Sequence, residues 1–64
     1  MTLLQRIIKK AGEKDNGKWI FDYDDQRNKE DPKKIYCILT DGFTIYQVIL
    51  NLKCDRILDV YELG

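Results

Sequence analysis

Between Lys33 and Leu63, eighteen of thirty-one positions are Ile, Leu, Val, Phe, Tyr or Cys. They fall in three runs, IYCIL, FTIYQVILNL and RILDVYEL, with little punctuation between them. A chain of 64 residues makes one small domain, and a sheet covered by one short helix has a single face to bury. This segment offers two apolar faces. The second face is therefore expected to meet another copy of the chain or a protein partner, because large exposed apolar patches mark contact sites.

Size sharpens that expectation. So short a chain buries only roughly 60% of the surface that its unfolded form exposes, and its core supplies only about 3–5 kcal/mol net. Domains of this length lean on a disulfide, a metal or a partner. There are two cysteines, enough for at most one internal bridge. Cys37 lies inside an apolar run, where a free thiol behaves as a small hydrophobe, and Cys54 sits among charges. Both are expected to be free, with Cys37 buried. No charged n-region, apolar core and small-residue cleavage pattern opens the sequence, and no apolar tract approaches the roughly 20 residues of a membrane helix. A cytoplasmic location with reduced thiols is the default reading.

The first element is an amphipathic helix. Thr2 can cap it, and Gln5 three residues later completes a capping box. Leu3, Leu4, Ile7, Ile8 and Ala11 then recur at helical spacing, with Arg6, Lys9 and Lys10 off the stripe. Gly12 is placed to stop it. The pattern predicts a helix over residues 3–11, docked by its stripe on a sheet. Residues 12–17 form a loop through the Asn16-Gly17 turn. Lys18 to Tyr23 alternates, which predicts a strand with Trp19, Phe21 and Tyr23 on one side. Residues 24–33 are polar throughout and predict a solvated loop.

Residues 34–50 predict a β-hairpin about a two-residue Asp41-Gly42 turn. In that register Thr40 faces Phe43, Ile38 faces Ile45 and Tyr36 faces Gln47. A competing helix from Ile45 to Lys53, capped by Thr44, is disfavoured by the density of β-branched residues. Residues 54–63 fit either a helix capped by Asp55 or a last strand, and the strand is the preferred reading. The expected fold class is α+β: an N-terminal amphipathic helix packed on a small antiparallel sheet of three to four strands.

Chemistry is sparse. The chain has no histidine, which removes the commonest general base near neutral pH and the commonest metal ligand. Asp22, Asp24 and Asp25 resemble the start of a calcium loop, but Arg27 and Lys33 stand where the glycine and glutamate are needed. Neither cysteine has a nearby histidine base. The glycines are isolated, so no phosphate-cradling loop is present. No catalytic residue, metal, cofactor or small-molecule substrate is expected, and the chain reads as a non-enzyme.

Two binding classes remain. In the first, the chain is a protein-interaction module, a small regulator or inhibitor, acting as a homodimer or on a protein partner. Interface cores favour aromatics, so Trp19, Tyr23, Tyr36, Phe43, Tyr46 and Tyr61 are candidate anchors. Asp24 and Asp25 are candidate members of an acidic rim. About four of the seven aromatic residues are expected to be core instead. In the second class, Trp19, Tyr36 or Tyr46 would stack the bases of a single strand or RNA, and Arg6, Lys9, Lys10, Lys14 or Lys18 would touch its phosphates. The charge distribution works against this. Net charge is zero overall, +3 over residues 1–20 and −3 over residues 21–32, and the acidic segment repels a backbone. Any nucleic-acid binding is therefore expected to be weak.

Overall fold

The computed structural model describes residues 1–63. Among them the chain forms two helices and one four-stranded antiparallel sheet. In chain order these are α1 (Leu3–Lys10), β1 (Ile20–Tyr23), α2 (Asp25–Glu30), β2 (Ile35–Thr40), β3 (Ile45–Leu50) and β4 (Ile57–Glu62). The strands lie side by side as a meander, β1-β2-β3-β4. The α+β class and the four-strand count agree with the sequence reading.

Helix α1 begins and ends as its residues dictate. The Thr2 hydroxyl accepts the Gln5 N–H at 3.2 Å, and the Gln5 side chain accepts the Thr2 N–H at 2.9 Å. At the other end Gly12 adopts a φ of +79°. It thereby turns the chain so that its own N–H donates to the Lys9 carbonyl and the Glu13 N–H to Ile8. This is a Schellman stop, and only glycine enters that backbone region at no steric cost. Lys9 and Lys10 occupy the last turn, where cations complement the helix dipole.

The loop expected over residues 24–33 is a correction. Residues Asp25–Glu30 are helical. No apolar stripe supports this helix, and none of its residues is buried. Its ends and one clamp hold it instead. The Asp24 carboxylate accepts the Arg27 N–H at 3.2 Å as an N-cap, and Asp25 lies in the first turn. Asn28 then reaches the first residues of β2. Its amide nitrogen donates to the carbonyls of Asp24 and Tyr36 at 2.6 and 2.8 Å, and its oxygen accepts the Tyr36 N–H at 2.8 Å.

The hairpin forms, but in another register. Thr40 pairs with Ile45, Ile38 with Gln47 and Tyr36 with Ile49. The connection is therefore four residues, 41–44, rather than two. Asp41 is the cause: its carboxylate accepts the N–H groups of both Phe43 and Thr44, at 3.0 and 2.9 Å. That Asx-type turn absorbs the two residues expected to begin the second strand. The same bonds draw the Asp41 carboxyl below the usual carboxylate range, led by the one from Thr44. A slip of two residues preserves the faces, so Ile35, Cys37 and Leu39 still share a side with Tyr46 and Val48.

The last element is a strand, as preferred. Between β3 and β4 the Asn51 side chain accepts the N–H groups of Asp55 and Arg56, each at 3.0 Å. Cys54 takes a φ of +58° within that turn. A register shift follows between Ile49 and Leu50.

One apolar cluster forms the core. Ile7 and Ile8 of α1 join Trp19, Cys37, Leu39, Tyr46, Val48 and Leu50, with Leu3, Leu4, Ala11, Phe21, Ile35, Ile57 and Val60 packed around them. The two buried polar rings in the cluster are satisfied. The Trp19 indole donates to the Lys14 carbonyl at 2.9 Å, and the Tyr46 hydroxyl donates to Glu13 at 2.6 Å. The bond to Glu13 is the main reason that the Tyr46 hydroxyl is pushed up to about 12. The loop after α1 is thereby tied to the core at both Glu13 and Lys14.

Candidate functional site

Directly paired residues in a sheet share a face, so the register defines the surface opposite the core. Three rows cross it: Ile20–Thr40–Ile45, Asp22–Ile38–Gln47–Tyr61, and Tyr36–Ile49–Asp59. Leu63 continues the first row, since its N–H donates to the Ile45 carbonyl at 2.8 Å.

The two ends of this face differ. At the Tyr36 end it is closed. The Arg27 guanidinium lies over the Tyr36 ring, 5.1 Å from its centroid, and the Tyr36 hydroxyl donates to Asp31 at 2.7 Å. That bond is the leading cause holding the Asp31 carboxyl below its ordinary range and the Tyr36 hydroxyl above its own. The other end is open. Ile20 is 57% exposed, Ile45 46%, Leu63 49% and Tyr61 38%, and Ile38 is half-buried beside them. The β2–β3 turn leaves the sheet at this same end and carries Phe43, 93% exposed. Gln47 lies within the patch yet is buried, its amide donating to the Cys37 carbonyl at 3.0 Å. The patch therefore presents little unsatisfied polarity. Asp22 and Asp59 occupy the two outer strands of the same face, which gives it an acidic flank on each side.

The expected anchors divide accordingly. Trp19, Tyr36 and Tyr46 are buried, and Phe21 is half-buried, so four of the seven aromatic residues are interior. Tyr23, Phe43 and Tyr61 are exposed. Asp24 is half-buried and caps α2, while Asp25 is exposed in its first turn. Sequence reasoning missed Ile20, Ile38, Ile45 and Leu63. Alternation does place Ile38 with Ile45 on one side, but both sides of the hairpin are apolar, and period alone does not say which is turned inward.

The outer edge of β4 is partly blunted. Leu63 bonds inward to Ile45, so by antiparallel alternation Val60 and Glu62 direct their backbone groups outward. The Asp59 carboxylate accepts the Val60 N–H at 2.9 Å. A side chain thus occupies the donor that an added strand would need, and it adds a charge to the edge. The flat face is the more accessible of the two surfaces.

The thiols behave oppositely. Cys37 is buried and Cys54 exposed, and neither is bridged. Burial is the first cause that pushes the Cys37 thiol up to about 11, so it is protonated at neutral pH. Titration of the native chain with an aromatic disulfide reagent is expected to modify Cys54 at once. Cys37 should react only on opening, slower by roughly a hundredfold or more for a domain whose opening costs about 3 kcal/mol. Equal rates at the two thiols would contradict the burial of Cys37.

Among the described residues no three His, Cys, Asp or Glu side chains come together as a metal site. Among the same residues no helix is long and apolar enough to cross a membrane. Comparisons with family models, with curated proteins and with solved structures returned no match.

Proposed function

We propose that this chain is a small protein-interaction module that takes a protein partner on the open sheet face. One observation carries the reading: Ile20, Ile38, Ile45, Tyr61 and Leu63 form a single apolar patch on the side of the sheet away from Ile7 and Ile8. Isolated exposed apolar residues need no explanation, but a contiguous group does. The patch combines aliphatic side chains, an aromatic ring and flanking carboxylates at Asp22 and Asp59. The matching partner surface is apolar at its centre and carries Lys or Arg at its margin. Complementary margins of that kind act on the association rate more than on affinity.

The geometry favours this over base stacking on the sheet. Trp19, Tyr36 and Tyr46 are covered by the chain itself. Ile7 and Ile8 join the opposite, core face, so the cations of α1 and the exposed Tyr61 ring do not share a surface.

The test pairs capture of a partner from host lysate with affinity measurement on the purified partner. Ile45→Glu combined with Tyr61→Glu is expected to weaken sub-micromolar binding by about thirtyfold or more, the scale of losing a central anchor. Lys53→Glu, on the β3–β4 turn, should leave it unchanged. Sedimentation equilibrium on the chain alone distinguishes a second copy as the occupant: a dimer abolished by the same double substitution would assign the face to self-association. A monomer whose partner binds parent and double variant equally would overturn the reading.

A further inference from the structure

A second surface lies on α1, away from the open face. Arg6, Lys9, Lys10 and Arg56, with Met1 and Ile57, line an open cleft of about 580 Å³. That volume falls in the range of small-molecule sites, roughly 300–1,000 Å³. Arg6, Lys9 and Lys10 are spaced i, i+3 and i+4, so they share one flank of the helix. Arg56 arrives from the turn before β4. It is brought there by the sheet order, and Arg6 bonds the adjoining Asp55 carbonyl at 3.5 Å across forty-nine residues of sequence.

Among the described residues no carboxylate lines the cleft. The acids nearest in sequence have partners of their own: Glu13 accepts the Tyr46 hydroxyl at 2.6 Å, and Asp55 accepts the Asn51 amide at 2.5 Å. Like charges held together without a counter-charge repel one another, and a bound polyanion relieves that repulsion. Two guanidinium forks and two ammonium groups suit phosphate oxygens, the forks by paired hydrogen bonds and the ammoniums as point charges. A lone carboxylate would leave most of this charge unmatched. Ile57, half-buried at the rim of the core, adds an apolar wall for an organic body.

We infer that the cleft between α1 and the start of β4 binds a phosphate ester of nucleotide size carrying several negative charges. The same chemistry is offered by a free nucleoside polyphosphate and by the backbone of a single strand. This site is separate from the open sheet face and does not depend on it.

Calorimetric titration of the full chain with ATP and with AMP, beside fluorescence anisotropy with a labelled twelve-residue oligothymidylate, tests the inference and separates the sources. All are run at low salt and again at 150 mM. ATP binding in the micromolar range, with AMP at least tenfold weaker, would assign the cleft to free polyphosphates. Tighter binding of the oligonucleotide would assign it to a strand. Three or four neutralised phosphates then give a log–log salt slope of about −2 to −3, at roughly −0.7 per phosphate. In either case Lys10→Gln with Arg56→Gln is expected to weaken binding at least tenfold while Lys34→Gln does not. All three changed or control side chains are exposed, so melting temperatures should match the parent. Absence of binding in both arms at low salt would overturn the inference. So would equal losses in the cleft variant and the control, which indicate diffuse charge attraction only.

Discussion

Ile7→Asp is expected to abolish the cooperative thermal transition of this domain. Ile7 is fully buried and belongs to the cluster that includes Leu39, Val48 and Leu50. Removing an aliphatic side chain from such a position costs about 2–5 kcal/mol. The new carboxyl must then be buried without a partner, or protonated, at a further cost of several kcal/mol. A core worth about 3–5 kcal/mol cannot absorb both. Lys10→Ala is the matched comparison. It lies three residues on in the same helix, is exposed, and contributes a dipole interaction of under about 1 kcal/mol. Circular-dichroism melts of the two variants should show no transition for the first and a parent-like curve for the second. If both melt like the parent, α1 does not hold the core.

That helix was the most legible part of the chain because each of its signals is local. The cap, the stripe and the stop all lie within residues 2–13. The strands were legible from alternation and β-branching, yet the hairpin register was not. Asp41-Gly42 announces a turn, but whether the Asp41 carboxylate will capture two backbone N–H groups depends on how the strands meet. The error moved the pairing by two residues and left every side chain on its proper face. Had it been one residue, Cys37 and Leu39 would have been placed on the side of Ile45 and Gln47 instead of that of Tyr46 and Val48.

What the sequence withheld was the identity of the open face. IYCIL and FTIYQVIL are apolar on both sides, so the choice is made by elements distant in sequence. Ile7 and Ile8 join one face. Arg27, Asn28 and Asp31 close one end of the other. The basic cleft is hidden for the same reason: Arg56 joins Arg6, Lys9 and Lys10 only once four strands have been laid in order. Helix α2 was missed because period carries no information about it. Its residues, DQRNKE, have no apolar member, and its caps read equally well as a polar loop.

Asn28 is accordingly the residue on which that unexpected helix is expected to depend. β1 ends at Tyr23 opposite Cys37, and one further bond, from the Asp24 N–H to the Tyr36 carbonyl at 2.9 Å, closes the ladder. The Asn28 amide then binds both backbone groups of Tyr36 while holding the Asp24 carbonyl. Its orientation follows from the partners, because two carbonyls demand the nitrogen and one N–H demands the oxygen. Asn28→Ala removes three hydrogen bonds, each worth about 1 kcal/mol net. It also leaves the N–H of a buried residue with no partner, a penalty of about 1–3 kcal/mol. The Asp24 and Tyr36 carbonyls keep other donors, which limits the loss. A destabilisation of about 2–4 kcal/mol is expected, enough to leave much of the population unfolded at 37 °C given a core of about 3–5 kcal/mol. Asn28→Asp separates the clamp from mere side-chain volume. An ionised carboxylate can accept the Tyr36 N–H but cannot donate to either carbonyl, and it places a negative charge against both. Once protonated, the same side chain regains a donor. Relative to the parent at each pH, Asn28→Asp should therefore be as damaging as alanine at pH 7 and recover part of its stability near pH 4. Denaturant titrations of the parent and both variants at the two pH values are the measurement. An Asn28→Ala variant within about 0.5 kcal/mol of the parent, the ordinary range for an uninvolved surface position, would show that α2 is held by its own caps and not by this clamp.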